Sequence, residues 1–66
     1  MKSEFARRLR HLREGKGISR RVLADLCGVS ESTIMRYEQG KRIPNLDHAA
    51  KIADEFEVTI DFLYGR

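Results

Sequence analysis

The residues best placed to do chemistry lie between Arg20 and Arg42, and that chemistry is recognition rather than bond-making. Arg20 and Arg21 precede, and Lys41 and Arg42 follow, the stretch Glu31-Ser32-Thr33-Ile34-Met35-Arg36-Tyr37-Glu38. Only Ile34, Met35 and Tyr37 are sizeable apolar groups within it. An α-helix fits the DNA major groove, where each base pair shows its own pattern of donors and acceptors. A reading helix needs an apolar stripe to seat it and polar side chains opposite. Ile34 and Tyr37, at i and i+3, supply the stripe. Glu31, Ser32, Met35 and Arg36 are then the candidate base contacts. Arg36 can grip guanine O6 and N7 with two hydrogen bonds, and Met35 can touch a thymine methyl. Glu31 has two readings: it accepts from a cytosine amino group, or it only complements the helix dipole.

The flanking cations suit phosphate. Arg20, Arg21, Lys41 and Arg42, with Thr33, are the candidate phosphate contacts on either side of the reading stretch. Backbone N–H groups opening the preceding helix can hold a phosphate too. Such contacts set position and affinity but read no sequence. A solvated side chain competes with this reading for any single arginine, less well for the whole group.

These side chains need helices to hold them. Apolar residues recur at helical spacing and never alternate usefully, so the chain reads as five short helices without strands. The first runs from about Ser3, its cap, to Glu14, burying Phe5, Leu9 and Leu12. Gly17 closes it in a left-handed conformation. The second runs from the Ser19 cap to Cys27, with Val22, Leu23, Leu26 and Cys27 inward, and Gly28 ends it. Ser30 caps the third, which stops at Gly40. Two helices joined by a tight glycine turn form a helix-turn-helix. Pro44 forces Ile43 out of the helical region. Asn45 then caps a fourth helix, Leu46 to Phe56, with Leu46, Ala49, Ala50, Ile52, Ala53 and Phe56 as its apolar set. Thr59 caps a last short helix carrying Ile60, Phe62, Leu63 and Tyr64.

Composition agrees. Sixty-six residues make one domain, 1–66. A chain this small buries about 60% of its unfolded surface, so its core is marginal. Met1 to Arg42 holds 11 Lys/Arg and 5 Asp/Glu, whereas Ile43 to Arg66 holds 2 and 5. A basic two-thirds ahead of an acidic third points to one face for an anionic partner. One cysteine excludes a disulfide framework and fits a reducing, cytoplasmic location. No apolar run approaches the roughly 18 residues of a membrane span. Cys27 reads as a small buried hydrophobe. His11 and His48 lack partners at metal spacing and read as surface residues. Asp54, Glu55 and Glu57 read as a solvated helix face. No phosphate-binding glycine loop or nucleophile–base pair is present, so no catalysis, metal or cofactor is expected.

The stretch from "LRHLREGKGISRRVLADLCGVSESTIMRYEQGKRIP" through "NLDHAAKIADEFEVTIDFL" resembles the Xre-type helix-turn-helix family, the DNA-binding domains of phage repressors and Cro proteins. Its markers are Leu9, "LRE" at Leu12 to Glu14, "KGIS", "LA" at Leu23-Ala24, "GVS", the Glu38 to Pro44 pattern E-x-G-K-R-x-P, and "DFL". The resemblance implies an all-α, compact five-helix bundle like the lambda-repressor domain, with the helix-turn-helix at helices two and three. In such proteins the first turn of the reading helix approaches base edges. The resemblance also implies a partly buried ion pair between Arg13 and Glu38. Many members carry glutamine where this chain has Arg20; here Arg20 is expected to keep a phosphate role and to pair with Glu31. Tyr37 fills a position often held by tryptophan, leucine or isoleucine, and its hydroxyl is a further candidate phosphate contact.

The implied function is a sequence-specific transcriptional regulator, a repressor from a bacterium or prophage. It would lie in the cytoplasm, at the nucleoid when bound to DNA. The expected partner is a near-palindromic duplex operator read by a weak homodimer, or a dimer formed on DNA. Val58, Ile60, Leu63 and Tyr64 are the candidate dimer contacts, with Phe62 or Ile60 turned inward; the alternative is that all of them finish the core. A protein-interaction module, meeting a toxin or a protein antagonist, and a nonspecific nucleic-acid binder are the competing readings.

Overall fold

The computed structural model describes residues 4–65, which form five helices: α1 (Glu4–Gly15), α2 (Arg20–Cys27), α3 (Glu31–Glu38), α4 (Leu46–Phe56) and α5 (Ile60–Leu63). No strand occurs among the described residues. The expected cap Ser3 lies outside them.

Each of the other starts is made by the residue that local chemistry selects. Ser19 Oγ accepts from Val22 N–H at 3.1 Å and Ser30 Oγ from Thr33 N–H at 3.2 Å. Asn45 Oδ1 accepts from His48 N–H at 2.8 Å, and Thr59 Oγ1 from Phe62 N–H at 3.0 Å. Each bond satisfies an amide that the first turn leaves without a partner.

The first four helices end alike. In α2 the Val29 N–H reaches back to Ala24 O at 3.0 Å and the Gly28 N–H to Asp25 O. The same two-bond closure follows α1 at Gly17-Ile18, α3 at Gly40-Lys41 and α4 at Glu57-Val58. It demands one left-handed residue. Glycine supplies it at φ 68°, 72° and 73°; after α4 it is Glu57, at φ 56°. A β-carbon in that region costs about 1–2 kcal/mol. Glycine recovers this but adds about 0.5–1 kcal/mol of unfolded-state entropy. Glu57→Gly is therefore expected to stabilise the protein by up to roughly 1 kcal/mol. A urea midpoint that falls in this variant would contradict the argument.

The core joins Phe5 and Leu9 of α1, Leu23, Ala24 and Cys27 of α2, Ile34 and Tyr37 of α3, Ile52, Ala53 and Phe56 of α4, and Leu63 of α5. α3 packs on α1 and α2, α2 packs on α4, and α5 bridges α1 and α4. Phe5 meets Tyr37 edge-on at 5.9 Å and stacks on Tyr64 at 5.3 Å.

Three residues expected inside lie outside. Val22 and Leu26 are exposed, and Leu46 is 73% exposed. α2 is only eight residues long and inserts Leu23, Ala24 and Cys27. Val22 and Leu26 each precede one of these by one residue, about 100° around the helix, and face out. Leu46 is the first residue of α4, and its side chain leans back past the edge of the core.

Cys27 is buried, as its inward position requires. Burial pushes its thiol up, with Glu55 adding to the shift and Lys51 opposing it. Burial likewise pushes up the Tyr37 phenol. The folded chain thus keeps these protons to higher pH than the unfolded chain. Stability is unaffected below the ordinary thiol value near 8.5 and falls above it, because the unfolded state releases its proton first. Thermal melts are expected to show a loss between pH 8 and 10 that is smaller in Cys27→Ala. An equal loss in both proteins would remove Cys27 as a cause.

Candidate nucleic-acid interface

α3 has one buried and one exposed side. Ile34 and Tyr37 are 0% and 1% exposed. Glu31, Ser32, Met35 and Arg36 all face solvent on the other side. Met35, 39% exposed, is thus an apolar group held on a polar face. Arg21, Lys41 and Arg42 are exposed, and Arg20 and Thr33 are half-buried. All the candidate base contacts are therefore brought to one surface.

Glu38, the last residue of α3, holds three helices together. Its carboxylate is almost wholly covered, with 2% of the side chain exposed. It accepts from Arg13 Nε at 2.6 Å and from Arg13 Nη2 at 3.3 Å. It also accepts from Arg20 Nε at 2.9 Å. Arg13 in turn donates through Nη1 to Ile18 O at 3.0 Å, fixing the turn between α1 and α2. Hydrogen bonding to Glu38 raises the Arg13 pKa above its ordinary value against the cost of burial. The expected pairing of Arg20 with Glu31 does not form: Arg20, at the start of α2, lies beside the end of α3 rather than its beginning.

Tyr37 also departs from expectation. Its ring is in the core and its hydroxyl is 3.2 Å from His48 Nδ1, a bond that ties α3 to α4. At 1% exposure the residue does not offer the surface that a phosphate contact requires. His48 is correspondingly half-buried and partnered, rather than a bare surface residue. The opening of α3 carries a hydroxyl cluster that sequence spacing did not reveal. Ser30 Oγ lies 3.1 Å from Ser32 Oγ and 2.8 Å from Thr33 Oγ1.

The C-terminal candidates separate. Leu63 is 0% exposed and belongs to the core, so it is removed from the set of surface contacts. Val58, Ile60 and Tyr64 are partly buried against that core. Of the two alternatives for the inward residue, Ile60 is the one partly buried against the core, while Phe62 is 40% exposed and has the Arg8 guanidinium 4.6 Å from its ring centre. The four-residue α5 can bury only one side, and Leu63 takes it.

Among the described residues no group of three or more His, Cys, Asp or Glu could hold a metal, and no helix is long and apolar enough to cross a membrane.

This architecture recurs in known proteins. A helix-turn-helix family model matches residues 9–63. The HTH-type transcriptional regulator AnsR of Bacillus subtilis is 46% identical over 59 residues, covering 89% of this chain and 51% of that protein. The cryptic phage CTXphi transcriptional repressor RstR of Vibrio cholerae is 36% identical, covering 89% of this chain and 53% of that one. The chain thus spans about half the length of these two relatives. The P22 c2 repressor, solved in complex with a synthetic operator, superimposes with a TM-score of 0.89 over 92% of both chains at 23% identity, a likeness of fold. With α2 and α3 as its two characteristic helices, the chain belongs to the helix-turn-helix family.

Proposed function

We propose that the chain binds double-stranded DNA sequence-specifically and acts as a repressor, with α3 in the major groove. The observation that carries this is the division of α3: Ile34 and Tyr37 are buried, while Glu31, Ser32, Met35 and Arg36 stand exposed on the opposite side. Ser32, Met35 and Arg36 read bases, and Glu31 either reads cytosine or serves the helix dipole. Arg20, Arg21, Thr33, Lys41 and Arg42 hold phosphates on both sides. Tyr37 is left out of that set. RstR is named a transcriptional repressor, which supports the repressor assignment.

The operator is near-palindromic and read by two copies about one helical turn apart. Phe62, with Val58, Ile60 and Tyr64 beside it, is the self-complementary contact in place of Leu63. The patch is small, so the dimer is weak in solution and completed on DNA.

Selection of binding sites from a randomised duplex library, at near-physiological salt, tests this reading. The expected result is an enriched two-fold motif whose affinity falls steeply as salt rises, since each phosphate contact releases a counterion. Binding at low salt with no enrichment would overturn sequence-specific reading and turn attention to a protein partner. Sedimentation showing a tight dimer without DNA would overturn the weak-dimer assignment.

A further inference from the structure

The hydroxyl cluster opening α3 constrains what Ser32 can recognise. Ser30 Oγ has one hydrogen to donate and two lone pairs to accept with. One lone pair is taken by the Thr33 N–H at 3.2 Å. One hydrogen and one lone pair remain for two neighbours, Thr33 Oγ1 at 2.8 Å and Ser32 Oγ at 3.1 Å. One neighbour must therefore accept from Ser30, and the other must donate to it. Their polarities are opposite and linked.

We propose that this relay makes Ser32 an acceptor-only reader, selecting the bases that present an amino group in the major groove, adenine and cytosine. The inference rests on the DNA-reading function above, and in particular on the phosphate contact of Thr33. A phosphate oxygen only accepts, so Thr33 spends its own hydrogen on it. Thr33 Oγ1 then receives the Ser30 hydrogen. Ser32 must give its hydrogen to the remaining Ser30 lone pair. Toward the groove Ser32 presents lone pairs alone. In the major groove the donors are adenine N6 and cytosine N4, while guanine O6 and N7 and thymine O4 are acceptors that it would meet unfavourably. A hydroxyl normally reads either kind of base edge; here a phosphate contact removes that freedom.

Site selection with variants tests the relay. In the wild type, the base position that depends on Ser32 is expected to favour adenine or cytosine by about two- to tenfold, the range of one neutral hydrogen bond. Ser32→Ala should remove the preference at that position only. Thr33→Val keeps the shape of the side chain but deletes its hydroxyl. Ser32 can then either donate or accept, so the preference should relax toward parity between amino- and carbonyl-bearing bases. Ser30→Asp keeps a good cap that only accepts. Ser32 must still donate to it, so the preference should persist even as overall affinity drops. Circular dichroism checks that each variant is folded, and Ser30→Asp keeps the test decisive if Thr33→Val is not. A preference that survives in Thr33→Val, or disappears in Ser30→Asp, overturns the relay while leaving α3 as a reader. A Ser32→Ala variant with an unchanged motif removes Ser32 from the interface. No motif in the wild type would bring down the DNA-reading function itself, and the relay with it.

Discussion

Glu38→Ala is expected to remove nearly all of the protein's net stability, leaving a large unfolded fraction at room temperature. The substitution strips the shared partner from Arg13, whose side chain is only 12% exposed. Removing one side of a buried ion pair costs about 3–5 kcal/mol, because the other charge is left out of water without compensation. A core of this size rarely supplies more than about 3–5 kcal/mol in total. The two figures match, so the net stability falls to about zero and folded and unfolded populations should become comparable. The Arg20 arm adds less, since that side chain is 38% exposed and its pairing is screened by solvent. Glu38→Gln keeps the volume and one acceptor oxygen but drops the charge, and it should fall between wild type and Glu38→Ala. Urea unfolding followed by circular dichroism measures the series. A loss below about 1 kcal/mol for Glu38→Ala would mean that the pair behaves like an exposed surface bridge.

Arg36→Ala is expected to weaken binding to the selected operator by about 1–3 kcal/mol, roughly five- to 150-fold, and to relax the preference at one base pair. Lys41→Ala should weaken every duplex similarly and lower the salt dependence by about one counterion. The contrast follows from position. Arg36 stands on the outer face of α3, one turn beyond Ser32, whereas Lys41 lies in the turn after the helix. Neither side chain belongs to the core, so both variants should fold like the wild type. Affinities for operator and random duplex over a range of salt separate the two effects. If Arg36→Ala loses affinity evenly across sequences, Arg36 holds a phosphate and does not read a base.

Much of this organisation was legible in the residues themselves. Ser19, Ser30, Asn45 and Thr59 each cap the helix that follows, because a cap is a bond to an amide three residues away and needs no distant partner. Gly17, Gly28 and Gly40 mark helix ends for the same local reason. The buried pair Ile34 and Tyr37, and the exposed Glu31, Ser32, Met35 and Arg36, follow from helical periodicity alone. The tertiary structure decided what depends on where helices cross. It paired Arg20 with Glu38 instead of Glu31, since the start of α2 lies against the end of α3. It engaged the Tyr37 hydroxyl with His48, eleven residues away on another helix. It turned Val22 and Leu26 outward and Leu63 inward, because short helices bury one narrow side and only the neighbouring helices determine which. Glu57 took the left-handed turn where three other helices use glycine, since the path from α4 to α5 requires the turn whatever residue stands there. Periodicity and caps act within about one turn of chain, so the sequence by itself determined the helices and the face of α3. Partner choice acts through space, so the ion-pair network, the exposed aromatic and the edge of the interface became visible only when the helices were packed.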